Sequence, residues 1–291
     1  MKTTSPVTWT TVKSWKSGES KVKEDLLAIE EPLQIRLQYG QGKNWQEKSL
    51  TITMRTPGND FELATGLLLA ENIIDKKEDI DLIRYCKNVK PEEQGNVLIV
   101  KLAPDLKFDF NKLERYFLSN SSCGICGKSA IEALDCSELP LDFSEARVSI
   151  SVLCHLNERL MQEQTVFKYT GGIHAAALFD TDGNLLISRE DVGRHNAFDK
   201  VTGAAMLQNL LPAKNRLIML SGRVSFELVQ KAVRAKIPLI AAVGAPSSLA
   251  VSLAKKKGIT LIGFLKKESF NIYCGQERVV DMEKITTSPN F

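Results

Sequence analysis

The second half of the chain alternates short apolar runs with segments whose apolar residues recur at helical spacing. We predict buried strands in "NRLIML" (215–220), "IPLIAAV" (237–243) and "ITLIGF" (259–264), with helices between them. A hairpin that turns at Asp182-Gly183 is predicted before them, in residues 173–191. This order is typical of a mostly parallel sheet covered by helices, so we predict a three-layer α/β domain over residues 146–280.

The first half shows the period-two alternation of half-buried strands. Antiparallel strands are predicted in "LAIEEPLQIRLQYG" and "KSLTITMRTPG", followed by a helix that Asn59 or Asp60 can cap. A second strand pair is predicted in "IDLIRYCKNV" and "NVLIVKLAP". We expect loose tails at residues 1–20 and 281–291 and a strand-rich α+β domain over residues 21–145. The fold class of the whole chain is therefore α/β in its second half and α+β overall.

Composition and charge narrow the class of protein further. Of the 291 residues, 43% are apolar and 25% are charged, which is ordinary for a globular protein, and the net charge of +3 is too small to indicate a nucleic-acid surface. No apolar run approaches the length of about 18 residues that a membrane span requires. The N-terminus lacks a secretory signal, and six cysteines are too few for a disulfide scaffold. We expect a cytoplasmic protein with no membrane or nucleic-acid partner.

Three predicted strands end where small or polar residues begin a helix, in "DVGRHNAFDK", "SGRVS" and "GAPSS". In open α/β sheets ligands bind at this edge, and free backbone N–H groups at helix starts attract anions. Arg194 and Arg223 add guanidinium groups there, and Ser221 begins "SGRVS". His195 lies beside Arg194, and His174, which follows Gly171-Gly172, is a further candidate. We therefore predict a phosphate site. The alternative is ordinary helix capping, with the arginines paired to acids and the histidines hydrogen-bonded structurally.

A Cys-x-x-Cys pair, Cys123 and Cys126, lies in the Ser- and Gly-rich stretch "SNSSCGICGKSA" (119–130). A structural zinc site usually needs a second ligand pair, and none is present at a suitable spacing. A thioredoxin-like dithiol would follow a strand, whereas this pair lies in a predicted loop. Lys128 and the start of the next predicted helix should lower a thiol pKa, which favours an accessible thiolate. Sulfur or redox chemistry, a metal site and a structural role all stay open on these residues alone.

The motifs together resemble the FdhD family, the formate dehydrogenase accessory sulfur carriers. The resemblance covers roughly residues 25–280 and is most specific in the Cys-x-x-Cys and "EDVGRHNAFDK". The other matching stretches are "TGGIHAAALF", "SGRVSFELVQKA", "PSSLAVSLAKKKGITLIGF" and "FNIYC".

Several expectations follow from this resemblance and not from the residues themselves. It implies a sulfurtransferase that takes sulfur from a cysteine desulfurase and passes it to the molybdenum (or tungsten) bis-guanine-dinucleotide cofactor of formate dehydrogenase. It gives Cys123 the role of persulfide carrier and Cys126 that of its helper. It also implies a homodimer, a second domain similar to the cytidine deaminase fold, and no tightly held metal of the protein's own.

The resemblance places a cofactor-binding segment at "FLKKES", which comprises Phe264, Leu265, Lys266, Lys267, Glu268 and Ser269. A glycine-and-arginine pattern is common there in the family, so this segment departs from it, and the lysines could face phosphates only as point charges. The rival hypotheses are a cofactor-binding chaperone without covalent chemistry and a zinc-stabilised protein.

Overall fold

A computed structural model describes residues 5–42, 44–104, 106 and 146–281 of the chain. Both cysteines of the Cys-x-x-Cys pair, Cys123 and Cys126, lie outside the described residues, as does the predicted boundary at 145/146. In the part of the chain that the structure describes, no helix combines the length and the hydropathy needed to cross a membrane.

Six α-helices and fourteen strands are present in the described residues. The helices are α1 (Asp60–Ala70), α2 (Ile150–Glu163), α3 (Thr165–Thr170), α4 (Arg194–Leu207), α5 (Phe226–Arg234) and α6 (Ser248–Lys257), with short 3-10 turns at Lys77–Asp79, Pro91–Glu93 and Gln276–Arg278. The first seven strands are β1 (Val7–Lys16), β2 (Glu19–Ala28), β3 (Glu31–Gln41), β4 (Asn44–Arg55), β5 (Ile80–Tyr85), β6 (Val97–Leu102) and β7 (Val148–Ser149). The remaining strands are β8 (His174–Asp180), β9 (Leu185–Asp191), β10 (Arg216–Leu220), β11 (Leu239–Ala242), β12 (Thr260–Gly263), β13 (Asn271–Cys274) and β14 (Val279–Val280).

The start of the chain is not the loose tail that its polarity predicted. β1 and β2 pair antiparallel over their full length, from Val7 opposite Ala28 to Lys16 opposite Glu19. Ser17 and Gly18 form the turn with positive φ angles of 53° and 91°. The prediction failed because the strand alternation there is between exposed and half-exposed positions, with no buried apolar face to signal it.

The first-half strands form a four-stranded sheet in the order β4-β3-β6-β5. The predicted antiparallel pair β3–β4 and the predicted strand pair β5–β6 are confirmed. The β5–β6 pair is also antiparallel, and β3 and β6 join the two pairs as a parallel pair. Alternate residues of β3, Leu33, Ile35 and Leu37, are fully buried beneath α1. The predicted helix is present as α1, and Asn59, one of the two candidate caps, takes the N-cap position, but its side chain makes no capping hydrogen bond.

The second half contains a six-stranded sheet in the order β13-β12-β11-β10-β8-β9. The predicted hairpin at Asp182-Gly183 and the three buried strands are all present. The prediction of a mostly parallel sheet was wrong, because only β10, β11 and β12 pair parallel with one another, and the other three pairings are antiparallel. A βαβ unit keeps its two strands parallel, whereas a hairpin turn reverses the chain and makes its two strands antiparallel. The β8–β9 hairpin therefore adds an antiparallel pairing to the sheet.

Helices cover both faces of this sheet, which gives the predicted three layers. Ala176 and Leu178 of β8 face the cluster that contains α4, α5 and α6, whereas Ala177 and Phe179 face the cluster that contains Leu156 of α2. The first cluster also contains α1 and the inner face of the four-stranded sheet. The two halves of the chain therefore share one continuous hydrophobic core.

Candidate anion-binding site

One edge of the six-stranded sheet collects most of the predicted site residues. β10, β11 and β12 end at this edge, β9 runs in the same direction, and the antiparallel β8 begins there with His174. The loops after the strands are joined by backbone hydrogen bonds, from Gly244 N–H to the Gly222 carbonyl at 3.1 Å and from Phe264 N–H to the Gly244 carbonyl at 3.3 Å. Ser221 connects the loop after β10 to β8, because its hydroxyl accepts a hydrogen bond from Ala175 N–H at 2.8 Å.

His174 packs directly against the loop that follows β10. A Cβ atom at Gly222 would lie 3.2 Å from His174 Nδ1, so the absence of a side chain at Gly222 lets the imidazole approach the backbone. Burial lowers the pKa of His174, and the positive charges of Arg194, His195 and Arg223 lower it further. The charges of Arg194, His195 and Arg223 act on His174, so we treat these four side chains as one cluster, and the lowered pKa of His174 favours its neutral form at pH 7.

Among the described residues, Arg194 gives the cluster a buried donor without an acceptor, and Arg223 adds a guanidinium at the surface. In the described structure, Arg194 Nε is buried and has no hydrogen-bond partner, while the side chain of Arg223 is exposed. Helix α4 begins at Arg194 itself, and Gly193 at its N-cap position offers no side-chain cap. A buried guanidinium N–H without an acceptor beside an uncapped helix start fits a bound anion such as a phosphate group.

His195 is held from outside the cluster by α5. His195 Nε2 lies 3.0 Å from Ser225 Oγ and 3.0 Å from Glu227 Oε2. The hydrogen bond with His195 lowers the pKa of the Glu227 carboxyl. The sequence analysis did not select Ser225 or Glu227, although both lie within the "SGRVSFELVQKA" stretch that it quoted.

Behind the cluster, a buried ion pair fastens the site to the first half of the chain. Asp191 and Lys200 are both almost fully buried, and Lys200 Nζ lies 2.7 Å from Asp191 Oδ2. Thr56 N–H donates to Asp191 at 3.2 Å, and Lys200 Nζ donates to the Thr56 carbonyl at 2.9 Å. Asn196 adds a hydrogen bond to the Met54 carbonyl at 2.7 Å. Asp191, Asn196 and Lys200 of "EDVGRHNAFDK" therefore join the two halves, whereas Arg194 and His195 face the site.

The segment 264–269 begins at the same edge but leaves it at once. Phe264 is partly exposed and has a positive φ angle of 54°, whereas Leu265 is fully buried in the core beneath α2. Exposed residues follow: Lys266, Lys267, Glu268 and Ser269. Lys267 lines a surface cleft of about 620 Å³ together with Cys154 and Lys168. Phe264 N–H is bonded to the loop after β11, and Leu265 N–H donates to the Ala242 carbonyl at the end of that strand at 2.9 Å. A role of all six residues in cofactor binding stays a prediction.

The described cysteines do not form part of the cluster. Cys86, Cys154 and Cys274 are free thiols. Burial raises the pKa of Cys274, whose thiol lies 3.2 Å from the Ile259 carbonyl. In the described ranges, no group of three or more His, Cys, Asp or Glu side chains could hold a metal ion.

Comparison with known proteins accounts for the motifs around this cluster. The model of the FdhD/NarQ family matches residues 28–280, which include every described residue of the site. The chain belongs to the FdhD/NarQ family. This membership confirms the resemblance that the Cys-x-x-Cys and "EDVGRHNAFDK" motifs indicated.

Relatives of this FdhD/NarQ chain from a bacterium and an archaeon have the same name. A sulfur carrier protein FdhD from Mycolicibacterium paratuberculosis is 46% identical over 266 residues, which cover 90% of this chain and 95% of the relative. The archaeal Sulfurisphaera tokodaii has a sulfur carrier protein FdhD that is 42% identical, with coverage of 89% and 93%. A crystal structure described as that of a formate dehydrogenase accessory protein from Desulfotalea psychrophila shares the fold, with a TM-score of 0.70, 22% identity, and coverage of 95% of this chain and 100% of that chain.

Proposed function

We propose that this protein is a sulfur carrier in the maturation of a formate dehydrogenase. The observation that carries the proposal is the 46% identity, over nine-tenths of the chain, with proteins named sulfur carrier protein FdhD. The cluster of His174, Arg194, His195 and Arg223 supports it, because a carrier that serves a dinucleotide cofactor needs a site for phosphate groups.

In the accepting step, the Cys123 thiolate attacks the outer sulfur of a persulfide on a cysteine desulfurase. The S–S bond of the donor breaks, the donor cysteine leaves as a thiolate, and Cys123 becomes the persulfide. No electrons are gained or lost overall, so the protein acts here as a sulfurtransferase.

In the delivering step, the sulfur passes to the molybdenum or tungsten bis(molybdopterin guanine dinucleotide) cofactor, which is bound as a substrate. The Cys126 thiolate attacks the inner sulfur of the Cys123 persulfide, forms a Cys123–Cys126 disulfide and releases sulfide as the new ligand for the metal. The two thiols supply the two electrons that reduce the sulfur, and a cellular dithiol reductant restores the pair.

The anion site has the role of holding the cofactor during this step. Phosphate groups would bind Arg194, Arg223 and the first turn of α4, while neutral His174 can donate or accept a hydrogen bond. We also propose that the protein acts in the cytoplasm as a homodimer and binds both the desulfurase and the dehydrogenase.

Sulfur loading of the purified chain tests this proposal. Incubation with a cysteine desulfurase and cysteine should add one sulfur atom to the intact mass, located on Cys123 by peptide mapping. Cys123→Ala should gain none, whereas the control Cys86→Ala should load like the wild type. In a strain that lacks its own accessory protein, Cys123→Ala should not restore formate dehydrogenase activity. Restored activity with Cys123→Ala would instead favour the chaperone without covalent chemistry.

A further inference from the structure

One face of the β1–β2 hairpin exposes large apolar side chains among polar ones. Cross-strand neighbours lie on the same side of a sheet, so Trp9, Trp15 and Val22 share one face with Thr11 and Lys13. Their exposed fractions are 67% for Trp9, 72% for Trp15 and 68% for Val22. Two exposed tryptophans on one face of a two-stranded hairpin indicate an interaction surface.

The outer edge of β1 also has free backbone hydrogen-bonding groups. Ile29 N–H donates to the Pro6 carbonyl at 2.8 Å, so the even-numbered residues of β1 direct their polar backbone groups toward β2. The odd-numbered residues, from Trp9 to Trp15, direct theirs away from β2. The hairpin is a sheet of its own, and among the described strands β1 pairs with β2 alone.

We propose that this edge pairs with the same edge of a second copy of the chain, antiparallel and centred on Val12. A two-fold symmetric contact between identical strands is necessarily antiparallel, and it would convert two hairpins into one four-stranded sheet. A two-stranded hairpin is at best marginally stable in water, so this pairing would also stabilise β1 and β2.

The sequence of β1 favours the register centred on Val12 over the registers centred on Thr11 or Lys13. With Val12 opposite Val12, Trp9 lies opposite Trp15 of the other copy on both sides of the axis, and Lys13 lies opposite Thr11. The N–H and C=O groups of the odd-numbered residues point away from β2 and must hydrogen-bond with the same groups of the other copy. Every possible register therefore sets odd-numbered residues opposite odd-numbered residues. Centring on Lys13 would set two lysines face to face, and centring on Thr11 would replace each tryptophan pair by Trp9 opposite Lys13.

The register makes Val12 unusual among the positions of β1. Its N–H and C=O groups point toward β2, so Val12 and its symmetry mate would form a non-hydrogen-bonded pair with Cα atoms about 4.5 Å apart. That separation suits a disulfide. The family model begins at residue 28, so this surface lies outside the matched region. The inference rests on the proposed homodimer and is independent of the proposed sulfur chemistry.

Cysteine cross-linking of the full chain tests the register. Val12→Cys should form a covalent dimer under mild oxidation, and peptide mapping should find the introduced cysteine linked to its own symmetry mate. Thr10→Cys is the matched control, because Thr10 would lie about 13 Å from its symmetry mate and should give at least about tenfold less self-linked dimer. A mixture of Thr10→Cys and Ser14→Cys chains should cross-link, since these positions lie opposite each other.

A proline substitution tests whether the edge holds the copies together. Thr11→Pro removes an outward N–H and leaves the β1–β2 ladder intact, so it should convert a dimer of twice the 32.3 kDa chain mass into a monomer with an unchanged circular dichroism spectrum. The proposal is overturned if the wild type is monomeric at tens of micromolar, or if a dimer persists in Thr11→Pro while Val12→Cys fails to cross-link.

Discussion

Gly66 of α1 lies directly against the backbone carbonyl of Asp199 of α4. A Cβ atom at Gly66 would lie 1.9 Å from that oxygen, and one at Gly203 would lie 1.8 Å from the Glu62 carbonyl in the opposite direction. The two helices therefore cross with their backbones in contact, and only glycine at both positions allows it. Because α4 also presents Arg194 and His195, this crossing sets the position of the anion site relative to the first half of the chain.

Gly66→Ala should destabilise the protein by about 1–3 kcal/mol or more, because the added methyl group meets backbone that cannot move without shifting a whole helix. Urea unfolding followed by circular dichroism measures the loss. Gly172→Ala is the matched control, since its nearest neighbour would be the Thr170 carbonyl oxygen at 3.8 Å, and it should change the free energy of unfolding by less than about 0.5 kcal/mol. Equal effects of the two substitutions would contradict the close crossing.

A buried ion pair at the start of α1 has a comparable structural role. Arg55 donates to both carboxylate oxygens of Asp60 at 3.0 Å, and Tyr85 Oη donates to the same carboxylate at 3.0 Å. Burial raises the pKa of Tyr85, and the Asp60 carboxylate raises it further. Arg55 and Asp60 are 2% and 3% exposed, so neither charge is solvated if its partner is removed.

Arg55→Met should therefore cost about 3–5 kcal/mol of stability by leaving Asp60 buried without its partner. The double variant Arg55→Met, Asp60→Leu should recover part of that loss in the same urea titration. Arg36→Met is the control, because the Arg36–Glu47 pair is partly exposed at 3.4 Å and should contribute less than about 1 kcal/mol. A cost for Arg55→Met as small as that for Arg36→Met would show that the buried pair is not structural.

The sequence indicated the strand-end cluster because strand ends, helix starts and arginines are local features. Arg194 and Arg223 follow β9 and β10 within a few residues, and the edge of a sheet brings such positions together. The contacts of Asp191 and Lys200 with Thr56 could not be predicted in this way, since they join segments more than 130 residues apart. No local feature marks Lys200, because α4 also carries His195, Asn196 and Asp199. The β1–β2 hairpin was missed because its strands have only exposed and half-exposed positions, so no buried apolar face signals them.

The geometry of the edge predicts a ranking of basic residues in anion binding. Arg223→Gln and Arg194→Gln should each weaken the binding of guanosine diphosphate about tenfold or more, because each removes a guanidinium that faces the cluster. Lys267→Gln should weaken it less than about twofold, since Lys267 lines the cleft beside Cys154. Isothermal titration calorimetry measures all three affinities, and circular dichroism confirms that each variant is folded. A larger loss for Lys267→Gln than for Arg223→Gln would move the phosphate site to the 264–269 segment.

His174 should couple anion binding to proton uptake. Its pKa lies below the ordinary 6.5 in the folded protein, because burial and three neighbouring positive charges disfavour the imidazolium. The unligated protein should therefore lose stability as the pH falls through 6.5, since the unfolded chain binds the proton more readily. A phosphate group offsets the neighbouring charges and raises the pKa of His174, so binding should strengthen as the pH falls below 6.5.

Titration calorimetry in two buffers of different ionisation enthalpy measures this proton uptake directly. The wild type should take up part of a proton on binding guanosine diphosphate near pH 6.5, and His174→Asn should remove most of that uptake while retaining the arginine contacts. His195→Asn is the comparison variant, because it removes one of the three neighbouring charges but keeps the His174 imidazole, so part of the uptake should remain. If proton uptake survives in His174→Asn and disappears in His195→Asn, the group that takes up the proton is His195 and not His174. The pH dependence of binding would then originate in the His195–Glu227 pair of α4 and α5.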